Sequence, residues 1–259
     1  MDTTGFYDTL AEGYHLIFID WAATRARQGA LFAGLIRDTL GAGPKDVLDA
    51  SCGIGTQALG LAAQGHRVFA SDISPASVAR AEREATASGL TLAGSAVADL
   101  RTLSQQIPQR FDAVLSCDNA LPHLLEDAEL AAAAQNLHAV LKPGGLLIAT
   151  IRDYDAVESR PGEAIPQPVR VLGEGPSRRL VFQVWTWAAD SRGYEVEQFI
   201  LQPHGEGWTT TSARTRYRAL KRQELSSALT AAGFHDVRWH MPETSGFYQP
   251  LVTARRSPG

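Results

Sequence analysis

The sequence predicts an α/β protein: a doubly wound, mostly parallel sheet of seven strands, with helices at the N-terminus and an antiparallel β insert. Three observations predict it. Short apolar runs alternate with helical patterns from residue 46 to 151, the pattern of parallel strands joined by helical crossovers. The stretch DVLDASCGIGTQA (46–58) reads as strand, small-residue turn and helix. Finally, Asp49, Asp72, Asp99 and Asp118 each fall where a strand ends, and in such a sheet those ends share the one edge where ligands bind.

Taken in order, residues 5–40 are helical. Phe6, Tyr7, Leu10, Tyr14, Ile17, Phe18 and Trp21 recur at mixed helical spacings, and a second helix over 24–40 turns Leu31, Leu35 and Ile36 inward. This segment is expected to pack on the sheet edge and to act as a lid that excludes water. The core then reads as strand 46–49, helix 56–64, strand 66–71 and helix 75–88, the last opened by Ser74 and Pro75 as cap and first residue. Next come a strand over 91–97, a helix over 101–107, a strand over 111–117 and a helix over 127–141 stopped by Pro143 and Gly144. LLIATI (146–151) is the fifth strand. Residues 153–218 break the alternation with β-rich pieces at 169–173, 179–189, 194–202 and 208–220, and DSRG (190–193) marks a turn between two of them. A helix over 221–232 ends at Gly233, and VRWHM and FYQPLVTARR supply an antiparallel hairpin at the sheet edge. The chain thus divides as N-terminal helical lid 1–42, α/β core 43–152, antiparallel insert 153–218 and C-terminal helix with edge strands 219–259, all in one domain.

The turn after the first strand decides the ligand class. Gly53 and Gly55 let the backbone approach a ligand, and the helix that follows presents unpaired N–H groups. Gly53-x-Gly55-x-x-Ala58 also fits a dinucleotide fingerprint. Asp49 argues against that, because a carboxylate at the turn repels a pyrophosphate and suits a cationic ligand. Asp72, about 20 residues on, is placed to accept from both hydroxyls of a ribose. Asp99 with Leu100 suits an adenine edge, or Asp99 caps the next helix. Net charge is −4 with a pI near 6.0, so no nucleic-acid footprint appears. No apolar run is long enough to span a membrane, and MDTTGFYD lacks the features of a secretory leader, so a cytoplasmic enzyme is expected. Cys52 and Cys117 match no metal spacing and read as reduced residues lining the cleft.

These residues carry a resemblance. VLDASCGIGTQ together with SDIS resembles motif I and the following acidic position of class I S-adenosylmethionine-dependent methyltransferases, whose sheet is Rossmann-like. TRAR with Arg27, DNALPHL with Asn119 and His123, and TIRDYD with Arg152 and Tyr154 are similar to the glycine N-methyltransferase branch. The resemblance implies S-adenosylmethionine as cofactor, S-adenosylhomocysteine as product and no metal. It implies that Arg27 holds the cofactor's carboxylate and that Asn119 and Arg152 hold the acceptor, Arg152 by a carboxylate. Ser51, Gln57, Ile73, Cys117, Asp118 and His123 are expected as further cofactor contacts, and Tyr7, Tyr14, Tyr154 and Trp185 as acceptor contacts. Trp185, Trp187 and Trp208 suggest a pocket larger than glycine needs. Where the acceptor requires a base, His123 or Tyr7 is the candidate, since an unperturbed His has a pKa near 6.5. The expected reaction is in-line methyl transfer to a small-molecule acceptor: an amine, or an electron-rich, indole-type nitrogen or carbon. The alternatives are a nicotinamide-dependent oxidoreductase and a non-catalytic cofactor-binding protein. A homo-oligomer stays open; nucleic-acid and membrane partners are not expected.

Overall fold

A computed structural model describes residues 2–258 of the chain. Strand β1 (Asp46–Asp49) lies at the centre of a seven-stranded sheet. On one side stand β2 (Arg67–Asp72) and β3 (Gly94–Val97); on the other stand β4 (Phe111–Ser116) and β5 (Leu141–Thr150), all parallel. Two antiparallel strands complete that side, β12 (Leu251–Arg256) against β5 and β11 (Phe234–His240) at the edge. Chain order turns back between β1 and β4, so their carboxyl ends form the crevice where such sheets bind ligands.

Helices cover both faces. α2 (Trp21–Leu40), α3 (Thr56–Ala63) and α4 (Pro75–Ala87) bury Phe32, Ile36, Leu61 and Ala81 on one. α5 (Leu103–Gln106), α6 (Asp127–Ala139) and α7 (Arg222–Ala231) bury Leu103, Leu137, Leu225 and Leu229 on the other. α4 starts as its sequence requires: the Ser74 hydroxyl accepts from Ser77 N at 3.0 Å, and Pro75 takes the first turn. α2 and α3 cross in near backbone contact. A Cβ on Gly29 would lie 2.4 Å from the Gly60 carbonyl, and one on Gly60 would lie 2.5 Å from the Arg25 carbonyl.

A second, antiparallel sheet comprises β6 (Ala164–Pro166), β7 (Arg170–Leu172), β8 (Arg179–Trp187), β9 (Gly193–His204) and β10 (Gly207–Arg218). Its inner residues alternate along each strand. Val181, Ile200 and Ala213 pack against Phe6 and Leu10 of α1 (Thr3–Leu10), while Trp185, Trp187, Tyr194 and Tyr217 form an aromatic cluster. A short helix α8 (Pro242–Ser245) precedes the loop into β12.

Three local expectations are corrected. The helix expected at 101–107 is only the four-residue α5. α6 stops at Ala139, and KPGG lies within β5 rather than before it. Gly144 there has φ +72° and the β4–β5 register shifts between Phe111 and Ala113, so Pro143 and Gly144 bend the strand instead of delaying it. β6, which holds a proline and two half-buried or exposed neighbours, carried too little β pattern to be read from sequence.

Candidate active site

A cleft of about 520 Å³ opens above the carboxyl ends of β1, β2 and β4. Its floor is the glycine turn. Gly53 has φ +50° and nothing lies within 4 Å of where its Cβ would be, so the backbone is bare towards the cleft. Gly55 does not line the cleft. At φ +97° it caps α3, with its Cβ position pressed to 3.0 Å from Leu59. Ser51, Gln57, Ile73 and Leu100 all lie on the wall, as do the free, buried Cys52 and Cys117. Burial pushes both thiols up, so they stay protonated.

The strand-end acids divide into different tasks. Asp72 lines the cleft and ties the turn together, accepting from Gly53 N and from Ser74 N, each at 2.9 Å. A carboxylate offers about four lone-pair sites, so Asp72 keeps capacity for a ligand. Asp49 is fully buried behind the turn and does not reach the cleft wall, contrary to the expected direct contact. Its Oδ1 accepts weakly from Ser51 N at 3.4 Å, and its Oδ2 has no partner among the described residues. Burial raises its carboxyl to about 8, while the amides of Ser51 and Ala58 pull the other way. Asp99 lines the cleft but caps no helix. It is clamped by Arg101, whose Nε lies 3.0 Å from both carboxylate oxygens, and Arg101 in turn reaches Glu129 at 2.6 Å.

After β4 the chain takes two consecutive non-glycine residues into the left-handed region, Asp118 at φ +56° and Asn119 at φ +69°. Such strain persists where surrounding bonds over-determine it. Here Asp118 N donates to Thr150 Oγ1, Asp118 Oδ2 accepts from Gln57 and Oδ1 from the Tyr248 hydroxyl, each at 2.7–2.8 Å. Asn119 is buried, accepting from Arg152 N and donating to the Tyr154 hydroxyl, both at 2.9 Å. His123 follows on a 3-10 turn and joins α1 across the cleft: Tyr7 Oη lies 2.9 Å from its Nε2. The sequence expectation that His123 holds a proton near neutral pH is corrected. Burial pushes it down to about 3, against a hydrogen bond with the Arg216 backbone, and it packs 4.2 Å from the Tyr217 ring. It is therefore neutral and a weak base, and burial also pushes the Tyr7 phenol up.

A second cavity of about 690 Å³ meets the first at Tyr14 and Asp118, which line both. It lies between α1, α2 and the second sheet, and its wall includes Asn119, Arg152 and Arg27. Arg152 is held in an aromatic cage. It donates to the Tyr194 hydroxyl, and its guanidinium carbon stands 4.6 Å from the Trp185 ring centroid and 5.6 Å from that of Tyr217. The nearby acids are engaged elsewhere, since Asp153 and Asp155 pair with Arg222. Tyr154 and Trp185 line neither cavity; they are buried behind Asn119 and Arg152 and position them. Arg27 is exposed at the second cavity, away from the first, and pairs with none of the described residues. Sequence reasoning missed Gln28, Tyr217 and Tyr248, whose roles depend on contacts across elements.

A glycine turn and strand-end acids at the switch point of this sheet define the class I methyltransferase fold. A family model described as a methyltransferase domain matches residues 47–145. The chain is 36% identical over 137 residues to a glycine/sarcosine N-methyltransferase of Parasynechococcus marenigrum, covering 53% of this chain and 47% of that protein. It spans about half the length of the curated relatives it matches. Among solved structures, the CcbJ methyltransferase of Streptomyces caelestis superposes with TM-score 0.79 at 19% identity, over 100% of both chains. The amino pentose methyltransferase CalS10 of Micromonospora echinaspora superposes with TM-score 0.74 at 23% identity, over 95% of both. Residues 47–145 thus carry the sequence pattern of a methyltransferase domain, and the whole chain is similar in fold to these solved methyltransferases.

Proposed function

We propose that this chain transfers a methyl group from S-adenosylmethionine to the nitrogen of a small amine that carries a carboxylate. The observation that carries this reading is Arg152, a caged guanidinium without an acid partner among the described residues, on a cavity that meets the cleft at Asp118. The residues fit the cofactor: Gly53 leaves room for it, Asp72 has spare acceptor capacity for ribose hydroxyls, and Asp49 is a buried acid with one unpartnered oxygen. Ser51, Gln57, Ile73, Leu100 and Cys117 would flank it, and Arg27, swung inward, would meet its carboxylate. When bound, the cofactor supplies an electrophilic methyl on sulfonium sulfur.

The chain's own residues then have three tasks. Arg152 and Asn119 orient the acceptor; a fixed near-attack geometry contributes several kcal/mol. α1 and the second sheet keep water out, and a poorly solvated amine favours the neutral, nucleophilic form. Tyr7, held by neutral His123, fixes the nitrogen's approach without having to ionise. The match of residues 47–145 to a methyltransferase domain and the glycine/sarcosine N-methyltransferase relatives weigh against a nicotinamide dinucleotide.

The glycine/sarcosine relatives support a carboxylated amine. The cavity's size supports one larger than glycine, and its five glutamines, Gln28, Gln167, Gln183, Gln198 and Gln249, favour a hydroxylated acceptor such as an amino sugar as the second reading. Calorimetric titration with S-adenosylmethionine, S-adenosylhomocysteine and NAD is expected to give binding of the first two alone. Turnover is then compared for glycine, sarcosine, larger amino acids and amino sugars. Arg152→Met should raise KM for a carboxylated amine at least tenfold with unchanged cofactor affinity. Binding of NAD, or of no nucleotide, would overturn the reading.

A further inference from the structure

The two cavities are joined by a chain of side-chain amides that ends in an unmet donor. Asp118 accepts at both oxygens, from Tyr248 and from Gln57 Nε2 at 2.7 Å. That bond fixes the Gln57 amide with its nitrogen towards Asp118, and the same nitrogen donates to Gln28 Oε1 at 2.8 Å. The orientation of Gln28 is therefore fixed in turn: its oxygen faces Gln57, and its own Nε2 faces away. Gln28 is 2% exposed, and its Nε2 has no partner among the described residues. Buried side-chain donors are nearly always paired, so this one calls for an acceptor that arrives with a ligand. Gln28 lines the second cavity, and Gln57 lines the first, so the donor sits at their junction. Arg27, the preceding residue, borders the same cavity and has no acid partner among the described residues, whereas Asp20 is engaged as the cap of α2. An unpaired amide N–H beside a guanidinium that has no acid partner among the described residues suits an oxyanion rather than a neutral hydroxyl.

The geometry points to Gln28 as a positioning residue that donates a hydrogen bond to a ligand carboxylate at the junction of the two cavities. The inference rests on the methyltransferase reading, in which both the cofactor and the acceptor bring a carboxylate. The close backbone approach of Gly29 to Gly60 holds the two helices where Gln28 meets Gln57.

The test exploits the two ends of one amide. Gln28→Glu keeps an oxygen for Gln57 and replaces the donor with an anion; Gln28→Met removes both. Binding of S-adenosylmethionine and of its decarboxylated analogue is measured by calorimetry for wild type and both variants. Binding of acetate, as the minimal carboxylate, is measured on protein saturated with S-adenosylhomocysteine. If the cofactor's carboxylate is held, wild type prefers the intact cofactor, and Gln28→Glu loses at least tenfold in its affinity but little for the analogue. If the acceptor's carboxylate is held, cofactor affinity stays within twofold and acetate binding is lost in Gln28→Glu. A Gln28→Glu protein that matches wild type in both arms would show that Gln28 only anchors Gln57, and the inference would fall. Failure of wild type to bind S-adenosylmethionine would instead overturn the methyltransferase reading itself.

Discussion

Asp49 is under two opposing demands. Its carboxyl is fully buried with one unpartnered oxygen, and it titrates near 8 in the fold against about 3.9 for a free aspartate. A folded value above the unfolded one means that the native state binds the proton more tightly. The contribution to stability is therefore complete below about pH 4 and declines as pH rises through 8. A bound cation reverses the balance by favouring the charged form. Asp49→Asn is accordingly expected to raise Tm at pH 8 by a few degrees, about 1–2 kcal/mol of relief, and to weaken S-adenosylmethionine binding about tenfold or more. A thermal melt and a titration on the same sample check both signs. His123 gives a complementary expectation. With its imidazole pushed to about 3, no step in kcat/KM between pH 5 and 8 should belong to it. His123→Ala should lower kcat at least tenfold, through loss of the Tyr7 contact, without changing the shape of the pH profile. A profile that loses its acidic limb in the variant would restore His123 as the base.

The helix pair α2–α3 is the element on which the site depends most. Gly29 and Gly60 leave no room for a Cβ on either side. Gly29→Ala must therefore push the helices apart, costing about 1–3 kcal/mol as overpacking, and should also separate Gln28 from Gln57. Denaturant melts combined with cofactor titration should show both losses; a stable variant with normal binding would mean that the helices relax without consequence. At this scale sequence and structure agree unevenly. The parallel strands, α4 with its Ser74 cap and the edge hairpin were legible because apolar period and capping chemistry are local. The Gly29–Gly60 contact was not legible, since a glycine inside a helix gives no sign of which backbone it will meet. KPGG was misplaced because a Pro-Gly pair marks a turn and a strand bend equally well.

For the whole molecule, two sheets and α1 enclose two connected cavities, and the site was readable only in part for that reason. Asp72, Gly53, Asn119 and Arg152 lie at the carboxyl edge or just after it, where position along the chain predicts position in space. The cage around Arg152 comes from β8, β9 and β10, and no spacing in the sequence announces that Trp185, Tyr194 and Tyr217 converge. Asp49 was recognised by its place in the chain, but its burial, which sets its proton affinity, depends on the packing of β2, β4 and α3 around it.

One carboxylate of α1 ties that helix to the floor of the cleft. Asp8 Oδ1 accepts from Ser74 Oγ at 2.6 Å and from Ala76 N at 3.1 Å, at the start of α4. Ser74 N donates to Asp72, and Asp72 accepts from Gly53 N. The segment over the cleft is thus latched to the residues that form its floor. Undocking of α1 would strip α4 of a capping contact worth about 1 kcal/mol. That contact alone makes the undocked form about fivefold rarer. Docking of α1 and the shape of the glycine turn are therefore set by one continuous chain of hydrogen bonds.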